Sequence, residues 1–84
     1  MPARVHWSAE APDLFTASTD VAETHARVFL VAEAVSDGSW DWATWSRYGR
    51  HSSLHGYAAT QEAAMRKAEL AANAIRRTLV AKAG

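Results

Sequence analysis

Ala26-Arg27-Val28-Phe29-Leu30-Val31-Ala32-Glu33-Ala34-Val35, Ser36-Asp37-Gly38-Ser39 and Trp40-Asp41-Trp42-Ala43-Thr44-Trp45-Ser46-Arg47-Tyr48 follow one another without a break. The first block is rich in β-branched and apolar residues, and the last alternates aromatic and polar ones. Between them lies Asp-Gly, a favoured two-residue type I′ turn. The stretch predicts a β-hairpin. A competing reading takes Asp20 and Glu23 as a capping box and runs a helix through Val28. The β-like run Val28-Phe29-Leu30-Val31, followed by a turn at the right distance, favours the strand. A second turn at Gly49-Arg50 brings His51 to Tyr57 back as a third strand.

Downstream, Gly56-Tyr57-Ala58-Ala59 leads into Thr60, whose hydroxyl suits an N-cap, with Glu62 in the first turn where the helix dipole favours an acid. From Gln61 to about Ala81 there is no proline or glycine. Ala64, Ala68, Ala71, Ala72, Ile75 and Leu79, with Met65 at the edge, recur at helical period and form one apolar stripe. Arg76, Arg77 and Lys82 stand at the C-terminal end, where cations suit the dipole. Upstream, Arg4-Val5-His6-Trp7 and Leu14-Phe15-Thr16 read either as short strands about an Ala11-Pro12-Asp13 turn or as a partly ordered arm. The expected architecture is a single α+β domain over residues 1–84, an antiparallel sheet of three to four strands packed on one long C-terminal helix. Residues 1–25 supply an N-terminal strand or arm, 26–58 the strands and 60–81 the helix.

A two-residue Asp37-Gly38 turn pairs Val35 with Trp40, Glu33 with Trp42 and Leu30 with Trp45. Side chains alternate along strands, so one face gathers Val28, Leu30, Ala32, Ala34, Ala43 and Trp45, with Leu54 from the third strand. This face matches the helix stripe and is the expected core, Trp45 its largest member. The other face gathers Arg27, Phe29, Val31, Glu33, Val35, Trp40, Trp42, Thr44, Tyr48, His51, His55 and Tyr57. One helix covers one face. The second is either covered by the N-terminal segment, through Trp7, Leu14 and Phe15, or left as a binding surface or homodimer seam.

The 84 residues carry a formal net charge of zero and no cysteine. Neutrality argues against sequence-independent phosphate binding, and the missing cysteine excludes disulfides, thiolate nucleophiles and Cys-ligated metal sites. Charge is divided along the chain. Residues 1–41 hold seven acids and two arginines, a net −5, and residues 42–84 hold seven bases and two acids, a net +5. The longest apolar run, Val28 to Ala32, is five residues, against about 20 for a bilayer span. Met1-Pro2-Ala3-Arg4, followed by His6, Trp7 and Glu10, does not read as a signal peptide. A cytoplasmic protein without membrane contact is the expectation.

Catalytic and metal chemistry find little support. His51 and His55 on one strand stand roughly 13 Å apart at about 3.3 Å per residue, too far to share an ion, and His6 and His25 have no partner spacing. Ser52 and Ser53 adjoin His51, but neighbours on a strand face opposite ways and no buried acid announces itself. Asp37 and Asp41 flank a turn, and turn chemistry accounts for them. The glycines form no phosphate-cradling loop. No enzyme activity, metal or cofactor is expected.

Binding remains. Trp40, Trp42, Tyr48 and Tyr57 are candidate anchors and Arg47, Arg50 and His51 candidate polar contacts, with a second basic strip of Arg66, Lys67 and Arg77 beside Leu70 on the helix. Trp, Tyr and Arg dominate interface hot spots, so a protein partner leads. Aromatics on a sheet can also stack bases while arginines hold phosphates. Trp-x-Trp in a strand, a basic turn, and Gly56-Tyr57-Ala58-Ala59-Thr60-Gln61-Glu62-Ala63 opening a helix resemble the arm-site DNA-binding domains of phage tyrosine integrases, over roughly residues 26–80. That resemblance implies a three-stranded sheet backed by one helix and placed in the major groove. The family's strands are rich in Lys and Arg, whereas Glu33, Asp37 and Asp41 occupy the first hairpin here. A short chain with no catalytic set is also similar to phage and mobile-element accessory proteins, including anti-CRISPR inhibitors that act by occluding a host complex. Loss of binding on changing Arg47 and Arg50 to Glu would mark nucleic acid, and loss in Trp42→Ala an apolar protein interface.

Overall fold

The computed structural model describes residues 5–21, 26–47 and 53–83. They form strands β1 (Ser8–Ala11), β2 (Leu14–Asp20), β3 (Arg27–Ala34), β4 (Trp40–Arg47) and β5 (Ser53–Ala58), followed by helix α1 (Gln61–Ala83). Each strand pairs antiparallel with the next, so the sheet is a five-stranded meander backed by one helix. The sheet is wider than the expected three or four strands because β1 and β2 both come from the N-terminal segment. They extend the sheet in its own plane. Ala34 N–H donates to the Asp13 carbonyl at 2.9 Å and ties the turn between them to β3.

The β3–β4 connection departs from the expected two-residue turn. Val35 N–H donates to the Ser39 carbonyl at 2.9 Å and Gly38 N–H to the Val35 carbonyl at 3.1 Å. Gly38 has φ of +91°, the left-handed region that glycine enters without a Cβ penalty. This is a three-residue loop, Ser36-Asp37-Gly38, in which a tight turn is closed by a left-handed glycine. The Asp37 carboxylate accepts the Ser39 N–H at 2.9 Å and the Ser39 hydroxyl at 2.6 Å. Those bonds, the side-chain one first, hold the Asp37 carboxyl below its ordinary pKa. A depressed carboxyl contributes stability that is present above its unfolded pKa near 4 and lost as pH falls through the lower folded value. Acid unfolding followed by circular dichroism is therefore expected to show a component below about pH 4 that Asp37→Ala removes.

One extra loop residue slips the register by one, and a slip of one turns every side chain of β4 over. Ala34 faces Trp40, Ala32 faces Trp42, Leu30 faces Thr44 and Phe29 faces Trp45. Trp40, Trp42, Thr44 and Ser46 thus lie on the helix side, whereas Ala43 and Trp45 lie on the other. This corrects the expected faces of β4. The β4–β5 pairing (Trp42 with Gly56, Thr44 with Leu54, Trp45 with Ser53) is also one residue off the expected one. The two slips cancel, so His55 and Tyr57 stay on the side expected for them.

The core lies between α1 and the helix side of the sheet. Ala64, Ala68, Ala72, Ile75 and Leu79 are buried along the helix, and Val28, Leu30 and Ala32 opposite them on β3. Alanines in the first half of the stripe let the helix approach the sheet closely enough for Trp40 and Trp42 to pack against Ala64, Ala32 and Ala58. Thr44, fully buried, donates its hydroxyl to the Phe29 carbonyl at 2.8 Å, which satisfies a polar group the apolar layer would otherwise strand. Thr60 caps the helix as expected, its hydroxyl accepting Ala63 N–H at 3.1 Å. Val5, Trp7 and Ala17 also pack against this core. Among the described residues, then, the N-terminal segment packs on the helix side through Val5, Trp7 and Ala17, and no strand or helix of it lies over the opposite face.

Gly56 sits inside β5, not at a turn or cap. A Cβ built there would meet the Trp42 indole at 2.9 Å. The missing side chain is what lets the Trp42 ring lie flat across the neighbouring strand.

Candidate functional site

The side of the sheet turned away from α1 carries no described element over it. Its middle is aromatic. Phe29 and Trp45 face each other across β3 and β4 and stack with ring centroids 5.7 Å apart and planes 20° from parallel. Offset stacking of this kind stabilises the pair beyond area burial alone. Trp45 remains 37% exposed, and Tyr57, on β5, is 67% exposed. Val31 and Ala43 continue the apolar strip between them. A shallow depression on this side is lined by His6, Ser8, Thr16, Ser18, Phe29 and Trp45. A smaller one, about 170 Å³, includes Glu33, Asp41, His55 and Tyr57 in its lining.

The electrostatics of this face are acidic. Glu33 and Asp41 stand directly opposite each other on β3 and β4, a placement of like charges that costs the sheet stability. One Asp41 carboxylate oxygen is buried and finds no hydrogen-bond partner among the described residues. Asp20 is paired, its carboxylate 2.9 Å from Arg27 Nε. Arg27 and Arg47 stand opposite each other at the far end of the same two strands, and further bases are on the helix, where Arg66, Lys67 and Arg77 are exposed beside Leu70, which is 65% exposed. The division of charge along the chain is only partly a division in space: Glu33 and Asp41 are on the open sheet face, but so is Arg27, and the helix carries Glu62 and Glu69 beside its bases.

The candidate residues from the sequence are dispersed by this arrangement. Trp40 and Trp42 are half-buried on the helix side: Trp40 packs on Phe15 at 6.1 Å between centroids, and Trp42 packs against the core. Tyr57 is on the open face. Arg47 ends β4 opposite Arg27, and Tyr48, Arg50 and His51 lie outside the described residues. Arg66, Lys67 and Arg77 form a separate surface. Lys67 also reaches across to donate to the Tyr57 carbonyl at 3.4 Å. Phe29 is where the sequence reading put it, but Trp45 was assigned to the core. The signal for Trp45 was present in Val35-Ser36-Asp37-Gly38-Ser39, which suits a glycine-closed three-residue loop as well as a two-residue turn.

Among the described residues, no three His, Cys, Asp or Glu side chains converge to hold a metal ion. No described helix is long and apolar enough to cross a membrane. The fold and face together define a small α+β protein, a meander sheet backed by one helix with an aromatic, acid-flanked side left open. The chain matches no protein-family model, no curated protein and no solved structure.

Proposed function

We propose that this is a non-catalytic docking protein that occupies a surface of a protein partner through the open side of its sheet. The observation that carries the reading is the Phe29–Trp45 stack on a face with no described cover, with exposed Tyr57 farther along the same face in the row of Glu33 and Asp41. A face that carries several apolar side chains in water is costly to keep and marks an interaction site. Flat rings supply contact area at little entropic cost, which is why Trp and Tyr anchor interfaces. The flanking acids specify the partner's chemistry. It brings an apolar side chain onto Phe29 and Trp45 and a lysine or arginine toward Glu33 and Asp41, relieving their mutual repulsion. Occupying a surface in this way suits an inhibitor or accessory protein, since it needs no chemistry of its own.

Sheet-in-groove docking to nucleic acid is the weaker reading. Glu33 and Asp41 lie where the phosphates would come, and each acid there subtracts from a binding energy that rests on counterion release.

The test is affinity capture from cell extract, with and without nuclease treatment, using wild-type chain, Trp45→Lys and Glu33→Arg, each checked for native circular dichroism. A captured protein retained at about 0.15 M salt, and lost from both variants, is the expected result. Equal capture by all three, or capture that nuclease abolishes, overturns the reading.

A further inference from the structure

The two edges of the sheet are not alike. Strand β1 is four residues long, its pairing breaks register between Ala9 and Ala11, and it carries Glu10. Pro12 follows it at once. Shortness, a bulge, a charge and a proline are the devices by which proteins keep an edge from pairing with another chain. Strand β5 has none of them. Its six residues, Ser53-Leu54-His55-Gly56-Tyr57-Ala58, contain no Asp, Glu, Lys, Arg or Pro, and it pairs with β4 in unbroken register.

Two of the most exposed large apolar side chains stand on this one strand, Leu54 at 44% and Tyr57 at 67%. Residues 54 and 57 have opposite parity, so Leu54 is on the helix side and Tyr57 on the open side. A partner lying on either face would cover one and leave the other in water. A strand added edge-on would reach both. The backbone is available too. The Val35–Ser39 bond sets the alternation of the ladder, directing odd-numbered groups of β4 to β3 and even-numbered groups to β5. The N–H and C=O groups of Ser53, His55 and Tyr57 therefore point outward from the sheet. One of them, the Tyr57 carbonyl, receives Lys67 at 3.4 Å, a long exposed contact that a strand N–H can replace.

We infer that β5 pairs antiparallel with β5 of a second copy of this chain, about a twofold axis perpendicular to the sheet, giving a continuous ten-stranded sheet. The strand suits its own copy. It brings no like charges together, and a twofold axis at His55 pairs the outward-pointing groups of Ser53 and Tyr57 across the seam. In that register Leu54 stands beside Gly56 of the second copy, over which that copy's Trp42 ring lies and offers an apolar contact, and Tyr57 lies beside Ser53 of the second copy. A twofold seam through the open face instead would set Glu33 and Asp41 of two copies close together. The edge seam avoids this and joins two open faces into one larger docking surface.

Sedimentation velocity over a range of concentrations, with amide hydrogen exchange on the same samples, tests this. The expected result is a concentration-dependent dimer in which the Ser53, His55 and Tyr57 amides exchange more slowly as dimer forms. Leu54→Lys places a charge in the seam, and His55→Pro removes an outward N–H that the monomer does not use. Each is expected to weaken dimerisation by about tenfold or more with native circular dichroism retained. A chain that stays monomeric at all concentrations overturns the inference. So does a dimer that both variants preserve, or one lost only in Trp45→Lys. None of these outcomes bears on partner capture by the open face, whose test uses Trp45 and Glu33.

Discussion

Trp42→Ala is expected to cost about 3–5 kcal/mol of stability, as truncation of a large core aromatic does. A domain of this size has only roughly 4–12 kcal/mol in total, at about 0.05–0.15 kcal/mol per residue. The midpoint of thermal unfolding should fall by more than about 10 °C, taking about 4–8 °C per kcal/mol for a chain of this length. The size of the effect follows from location. Trp42 fills the layer between β4 and the alanine stripe of α1, and its removal leaves a cavity the rigid helix cannot close. Trp45→Ala removes a ring of the same size from the open face. It loses the stack on Phe29, but solvent fills the vacated space and no cavity term applies, so the cost should be about 1–2 kcal/mol. Guanidinium unfolding of both variants checks the contrast. Equal costs, or a larger cost for Trp45, would mean that the faces of β4 are reversed.

Gly56→Ala is expected to destabilise the protein by about 1–3 kcal/mol, the usual penalty for forcing a methyl into filled space. In a strand an alanine is ordinarily the better residue, because glycine loses more backbone freedom on folding. The sign is reversed by one neighbour. The added Cβ would stand 2.9 Å from Trp42 Cζ2, and the indole is confined between the sheet and the helix. The same substitution made in Trp42→Ala protein should cost little or stabilise slightly. A double-mutant cycle should therefore give a coupling energy above about 1 kcal/mol. Additive effects would show that the ring does not lie against Gly56.

These two residues also mark how far the sequence could be read. The helix was legible because its signals agree: a Thr60 cap, an alanine stripe at one period, and no breaker up to Ala81. The strand character of β3 was legible in the β-like run Val28-Phe29-Leu30-Val31, and its two faces followed from the period-two alternation of any strand. The register of β4 was not. Val35-Ser36-Asp37-Gly38-Ser39 contains a favoured two-residue turn and a favoured three-residue loop, and local preference separates them weakly. The structure adopts the loop in which Gly38 takes the left-handed conformation and Asp37 accepts two bonds from Ser39. With it, buried Thr44 and Ser46 come to the helix side in place of Trp45. Strand β1 was hard to see for another reason. Ser8-Ala9-Glu10-Ala11 has poor strand propensity, and it is extended because β2 offers it a ladder. Tyr57 on the open face could be read from sequence. The Phe29–Trp45 centre could not, because it depends on the register of a loop.

The docking face exists only if Trp45 is on the side of β4 turned away from the helix, and cross-strand Hα–Hα nuclear Overhauser contacts measure this directly. Directly opposed residues in non-hydrogen-bonded pairs bring their Cα atoms to about 4.5 Å, close enough for strong Hα–Hα peaks. Strong peaks between Ala32 and Trp42 and between Leu30 and Thr44 are predicted. Peaks between Glu33 and Trp42 and between Val31 and Thr44 instead would turn Trp45 into the core, return Trp40 and Trp42 to the open face, and contradict the docking surface described above.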